Sequence, residues 1–460
     1  MLNETSTSAQ SGSVPAQARI IDLAEHGITA DKIGENARWV LTRLEESGFE
    51  AYAVGGCVRD LLLGRKPKDF DIVTNARPEE VKRLFRFSRI IGRRFRIVHV
   101  IFHGEVIEVT TFRGGDADQI ARGSEGMITR DNVFGRIDED VFRRDFGCNA
   151  LYYHPGREQI VDFVDGVADI NARRLHMIGD VTTRFAEDPV RMLRAARFAA
   201  KLDFKPTAEV ERGVRQCRDL LTQVAPARLY DETIKLLQGG QGVASLFWLQ
   251  RLDLLEPLFP ELDQALKKQP EGIERALIDG VLQATDNRVA NNLPVNPAFL
   301  LAGLFWRRLC AAREHWLVQR VPPDDALILA ADEVLAQAAR NVMIPRRLAD
   351  IIRSIWALQS ELEHHCGQTG QRWRVVNADN HTSTMPPENL TEAKWFRAAV
   401  DFLCLRAQAG ELSESVCSFW RQYAPERGAQ DEPVVAALTA EDFGKGKPRR
   451  RNRRRSRRRG

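Results

Sequence analysis

Apolar residues recur at helical spacing from Ile20 onward. Ile33, Ala37, Val40 and Leu44 share one face, and Ser47-Gly48 ends the run. Glu50-Ala51-Tyr52-Ala53-Val54 then reads as a short strand that meets Gly55-Gly56. Val58 to Leu63 predicts a helix with Gly64 past its end. Asp69 to Val73 is strand-like, and Pro78-Glu79-Glu80 opens a helix through Phe85 with proline near its first turn. Arg96 to Phe102 and Glu105 to Thr111 predict two strands joined at His103-Gly104. This mixture, up to about residue 165, predicts an α+β N-terminal domain, a mixed sheet with helices.

After about residue 170 strand signals fade and helical patterns take over. Asp188-Pro189 caps a helix through Leu202. Pro226-Ala227 opens another, in which Tyr230, Ile234 and Leu237 share a face before Gly239-Gly240. Mostly helical segments continue over 245–425, giving an all-α region. The expected division is a disordered tail 1–18, a catalytic head 19–172, a helical neck 173–240, a helical C-terminal region 241–430 and a disordered basic tail 431–460.

Charge changes the picture at one end. The net charge of +4 conceals a run from Lys445 to Arg459 with nine Arg, two Lys and no acid. The rest of the chain holds 56 basic against 63 acidic side chains, a balance of −7. Such a run repels itself and stays disordered when free. Arg449, Arg450, Arg451, Arg453, Arg454, Arg455, Arg457, Arg458 and Arg459 suit a polyanion bound by its phosphates, the bland alternative being a solubility tail.

The seven cysteines are scattered and contain no C-x-x-C, which predicts a reducing compartment without a zinc or disulfide framework. The greasiest stretch, Phe299 to Trp306, stops at Arg307-Arg308 and is too short to span a membrane. The N-terminus lacks a basic region followed by an apolar one, so no secretory signal is expected.

The candidate chemistry begins at Val54-Gly55-Gly56-Cys57-Val58-Arg59-Asp60. Two glycines between strand and helix let backbone approach a phosphate, and Arg59 adds a charge-assisted bond one turn in. Asp69-Phe70-Asp71 follows. On a strand, its carboxylates lie on one side while Phe70 and Ile72 face the core. Like charges that close call for a cation, and oxygen ligands suit Mg²⁺. Glu108, in Val106-Ile107-Glu108-Val109, is a third carboxylate opposite the core-facing side. Phe142-Arg143-Arg144-Asp145-Phe146 suits a triphosphate clamp with a carboxylate alongside. In Glu187-Asp188-Pro189-Val190-Arg191-Met192-Leu193-Arg194, the arginines share a helix face. Asp188 with Arg191 can match the edge of a base, though Asp188 fits an N-cap equally well.

Together these residues resemble the nucleotidyltransferase class that contains bacterial poly(A) polymerases and tRNA CCA-adding enzymes. The likeness rests on VGGCVRD, KDFDIVTNARPEEVKRLF, EVTTFR, RRDFGCNALYY, DFVDG and EDPVRMLRAARFAAKLDF, in the family's order over residues 50–205. Ile90-Ile91-Gly92-Arg93-Arg94-Phe95-Arg96-Ile97-Val98-His99-Val100, Ile344-Pro345-Arg346-Arg347, Ile355-Trp356-Ala357-Leu358-Gln359 and the Arg-rich tail are similar to the poly(A) polymerase branch. Gly147-Cys148 departs from the family's usual Thr and aliphatic pair, and the Gly114–Asp131 loop is short.

The resemblance implies template-independent addition of AMP from ATP to RNA 3′ ends, the alternative being a tRNA CCA-adding enzyme. It implies Mg²⁺, or Mn²⁺, on Asp69 and Asp71, completed by either Asp145 or Glu108. Gly55, Gly56, Arg59, Arg144, Asp188, Arg191 and Arg194 correspond to nucleotide-binding positions, Asp188 with Arg191 reading adenine. RNA, ATP and RNA-decay machinery are the implied partners of a cytoplasmic monomer. A catalytically dead RNA-binding adaptor is the reading from another class, and the intact Asp69, Asp71 and Arg59 argue against it.

Overall fold

The computed structural model describes residues 18–92, 96–114, 121–122, 128–130, 133–366, 375–376, 382–383 and 388–424. The expectations for residues 1–17, Arg93-Arg94-Phe95, most of the Gly114–Asp131 loop and the tail from 431 onward lie outside these residues. The chain divides into two compact units, one of residues 1–224 with 247–257, the other of 225–246 with 258–460.

The first unit is built on an eight-stranded sheet. Its strands are β1 (Arg19–Asp22), β2 (Ala51–Val54), β3 (Asp71–Thr74), β4 (Ser88–Ile91), β5 (Ile97–Phe102), β6 (Glu105–Thr111), β7 (Leu151–His154) and β8 (Gln159–Asp162). They lie in the order β1-β8-β7-β2-β3-β6-β5-β4. Neighbours are antiparallel except β3 and β6, which run parallel. His103-Gly104 turns β5 into β6 as expected, with Gly104 at φ +82°.

Three helices follow the sequence pattern closely: α1 (Glu35–Glu46), α2 (Gly56–Leu62) and α3 (Pro78–Leu84). α1 buries Ala37, Val40, Leu41 and Leu44 and packs against β2 and β3. Full burial of four such side chains is worth several kcal/mol. The helical patterning read from Ile20 onward is corrected at its start. Residues 19–22 form a strand that buries Ile21 and exposes its neighbours, because they pair with Gln159–Asp162. Beyond the sheet lie α4 (Ile137–Val141), α5 (Val181–Glu187) and α6 (Val190–Leu202). α6 buries Met192, Leu193, Ala195, Ala196 and Ala199, and Pro189 separates it from α5.

The second unit is helical, with long helices at Ile273–Ala290, Pro323–Asn341 and Arg346–Cys366. Several of its buried polar side chains are paired. Trp356 donates to the Ala302 carbonyl at 3.1 Å, and Gln359 to that of Ala399 at 2.9 Å. The guanidinium of Arg406 (2% exposed) meets Glu363 and Glu411 at 2.7 and 3.0 Å. Here the expectation of no disulfide fails. A disulfide joins Cys404 to Cys417, with Cα atoms 4.7 Å apart. Helices Phe396–Gln408 and Glu414–Arg421 pack on each other, so residues 13 apart in sequence become neighbours. Among the described residues no helix is long and apolar enough to cross a membrane.

Candidate active site

Three carboxylates gather on one exposed face of the sheet. Asp71 opens β3, and Asp69 stands just before the strand rather than in it, because pairing with β2 starts only at Asp71. The alternation holds nevertheless: Phe70 and Ile72 are buried, Asp69 and Asp71 exposed. The parallel β3–β6 register sets Glu108 directly beside Asp71. Adjacent strands lie about 4.8 Å apart and side chains at paired positions share a face. On the other side Glu108 meets His99 of β5, Nε2 to Oε1 3.3 Å. Although Asp71 is open to solvent by surface area, enough protein crowds its carboxyl to raise its pKa. Burial leads, Glu108 and Asp69 add to it, Arg144 opposes, and the result is about 6. The Arg144 charge offsets burial and the neighbouring carboxylates only in part.

Among the described residues no three His, Cys, Asp or Glu side chains converge closely enough to enclose an ion. The donor set nevertheless fits a hard divalent cation that takes only one or two protein carboxylates and completes its shell with water and phosphate oxygens.

Behind this face the Gly-Gly turn is anchored. Gly55 adopts φ +78°, which a side chain would strain. Arg59, on α2, is buried rather than poised at the surface. Its Nη1 donates to Asn149 Oδ1 at 2.5 Å, its Nε and Nη2 to Asp60 Oδ1 at 2.9 and 2.6 Å, and its guanidinium lies 5.5 Å from the Phe198 ring. Asn149 Nδ2 in turn donates to Asp145 Oδ1 at 3.5 Å.

Asp145 is separately engaged. Its Oδ2 accepts from Arg194 Nε at 2.6 Å and Nη2 at 2.5 Å, and its Oδ1 from the Phe146 N–H at 2.9 Å. Burial works against its charge, but Arg194 and that N–H hold its pKa down at about 2.

Arg144 borders the carboxylate face. Its Nε donates to Asp140 Oδ2 at 3.1 Å and to the Tyr152 hydroxyl at 2.9 Å, and its guanidinium lies 5.1 Å from the Tyr152 ring centre. Burial opposes its charge, yet Tyr152 and Asp140 raise its pKa above the ordinary arginine value. Asp140 and Tyr152 were not singled out from sequence. Asp140 precedes Arg144 by four residues, a usable signal, whereas Tyr152 reaches it from strand β7.

The α5–α6 junction carries the remaining candidates. Asp188 follows the last residue of α5, and its backbone carbonyl accepts the Arg191 N–H at 3.0 Å at the start of α6. Arg191 donates through Nη1 to the Arg184 carbonyl at 2.8 Å and to Glu187 at 3.2 Å. Arg184 shares Glu187 at 2.6 Å. Burial first, then the nearby Arg191 charge, lowers the Arg184 pKa to about 10, with Glu187 opposing. The Gly147 departure has a packing reason: a Cβ there would stand 2.5 Å from Oδ2 of the buried Asp169.

Comparison with known proteins matches this arrangement. Residues 51–176 match the family described as poly A polymerase head domain. Residues 203–266 match the probable RNA and SrmB-binding site of polymerase A, and 319–459 its arginine-rich C-terminus. The chain is 41% identical over 428 residues to poly(A) polymerase I of Haemophilus influenzae, covering 90% of each chain. It is 41% identical over 212 residues to the CCA-adding enzyme of Lactobacillus helveticus, covering 45% of this chain and 52% of that one. A Bacillus stearothermophilus CCA-adding enzyme crystallised with CTP shares the fold, with a TM-score of 0.53 at 24% identity over 85% of this chain and 82% of that one.

Proposed function

The chain belongs to the bacterial poly(A) polymerase family and is a nucleotidyltransferase that adds adenylate to RNA, and from that premise we propose how its residues divide the work. Asp69 and Asp71 hold a divalent ion, Mg²⁺ or Mn²⁺, and Glu108 rather than Asp145 completes the acidic set. When bound, the ion neutralises triphosphate charge and makes the RNA 3′-hydroxyl a better nucleophile. Arg144 faces the triphosphate. The Gly55-Gly56 turn leaves room for phosphate, and Arg59 braces that turn from beneath. Asp145 holds Arg194, and Asp188 with Arg191 reads adenine. Positioning and charge neutralisation carry the reaction, since little covalent chemistry is asked of the protein.

The observation that carries this reading is the β3–β6 register. It sets Asp71 and Glu108 side by side, with the positive charge of Arg144 acting on Asp71. Asp145 already has a cationic partner in Arg194. Glu108→Gln should therefore raise the Mg²⁺ concentration for half-maximal activity roughly tenfold or more, at least what outer partners of a metal site cost. Asp145→Asn should leave that requirement in place and lower stability. The opposite pattern in a Mg²⁺ titration of the two variants would return the third carboxylate to Asp145.

For the setting we propose a cytoplasmic monomer working with RNA-decay proteins, as the family relationship suggests. The Arg449–Arg459 tail, by its charge, holds RNA without regard to sequence.

A further inference from the structure

We propose that Asp140 and Tyr152 are positioning residues that set how tightly the triphosphate is held, acting through Arg144. The inference rests on the reading of Arg144 as the triphosphate-facing arginine and adds the means by which it is aimed.

An arginine side chain has many rotamers, and ordering it when ligand arrives costs free energy. A guanidinium ordered beforehand escapes that cost. Arg144 is ordered on one edge and one face. Asp140, on α4 and 5% exposed, accepts from Arg144 Nε and, at 3.0 Å, from Nη2. Tyr152, on β7 and fully buried, donates its hydroxyl to Asp140 Oδ2 at 2.8 Å and accepts from Arg144 Nε. Burial pushes the Tyr152 hydroxyl pKa up, so it remains a donor. The other edge points elsewhere. A Cβ placed on Gly55 would lie 3.7 Å from Arg144 Nη1, so this nitrogen faces the Gly55-Gly56 turn. Among the described residues no hydrogen bond uses it. The geometry is thus a clamp on the back of a guanidinium whose front faces the phosphate turn.

The second oxygen of Asp140 extends the clamp. Oδ1 accepts the Arg113 backbone N–H at 3.0 Å, two residues past the end of β6. Asp140 therefore ties the arginine to the strand that carries Glu108, so phosphate arm and acidic face are held in one frame.

The test is a double-mutant cycle on the full chain, reading KM for ATP and inhibition by inorganic tripolyphosphate. Tyr152→Phe removes one hydroxyl and keeps the ring, so it guards against unfolding. Asp140→Asn is the stronger change. Each should raise KM and weaken tripolyphosphate inhibition roughly tenfold, the scale of one coupled contact. Neither should shift these values further in an Arg144→Ala background. If Arg144→Ala raises KM while the other two variants do not, the positioning role falls and the reading of Arg144 stands. If Arg144→Ala leaves KM unchanged, that reading falls and the proposal with it. Equal shifts with and without Arg144 would mark a general structural effect and overturn the proposal.

Discussion

Asp71→Ala should reduce AMP incorporation by three orders of magnitude or more while leaving RNA affinity nearly intact. Asp71 is the carboxylate between the other two, preceded by Asp69 and paired in register with Glu108. Charge stabilisation by a bound ion is worth several kcal/mol in the transition state, and each 1.36 kcal/mol is tenfold in rate. RNA is held elsewhere in this account, so binding should persist. Stability separates this result from unfolding. The folded pKa of Asp71, about 6, lies above the ordinary carboxylate value. Its ionised form therefore opposes folding above about pH 6, and that opposition disappears as pH falls below the unfolded value of about 4. Metal-free Asp71→Ala protein should then be no less stable than the parent at pH 7, any gain fading toward pH 4. Thermal melting in a chelator, alongside primer-extension rates, checks both halves. Retained incorporation would remove Asp71 from the mechanism.

Truncation after Phe443 should have the second largest effect, on RNA affinity. It removes nine Arg and two Lys, and with them all the excess positive charge of the chain. Each phosphate neutralised on a single strand contributes about 0.7 to the slope of log affinity against log salt. A tail engaging about six phosphates adds roughly four to that slope. The truncated chain should bind generic RNA about a hundredfold or more weakly at low salt, converging with the parent as salt rises. Fluorescence anisotropy across a salt series measures both quantities. Equal affinity at low salt would show that the tail does not contact RNA.

Much of the acidic face was legible because local pattern dictates it. Alternation around Phe70 and Ile72 put Asp69 and Asp71 on the open side, and β-branched neighbours on β6 did the same for Glu108. The Gly55-Gly56 turn and the His103-Gly104 hairpin carry their own chemistry. Partners brought together from distant positions were not legible. Residues 19–22 become a strand only because Gln159–Asp162 lies beside them. Choosing between Glu108 and Asp145 needs the β3–β6 register and the Asp145–Arg194 ion pair, and neither follows from spacing. Arg59 looked like a phosphate ligand one turn into a helix, yet Asn149, 90 residues later, draws it inward. Cys404 and Cys417 meet only because two helices fold back on one another.

The central claim is that this chain adds AMP repeatedly to RNA. Its most direct test supplies generic RNA and tRNA with each nucleotide separately and follows product length on a denaturing gel. A long ladder on generic RNA with ATP alone is the predicted result. Addition of CMP followed by a single AMP, confined to tRNA ends, would contradict it.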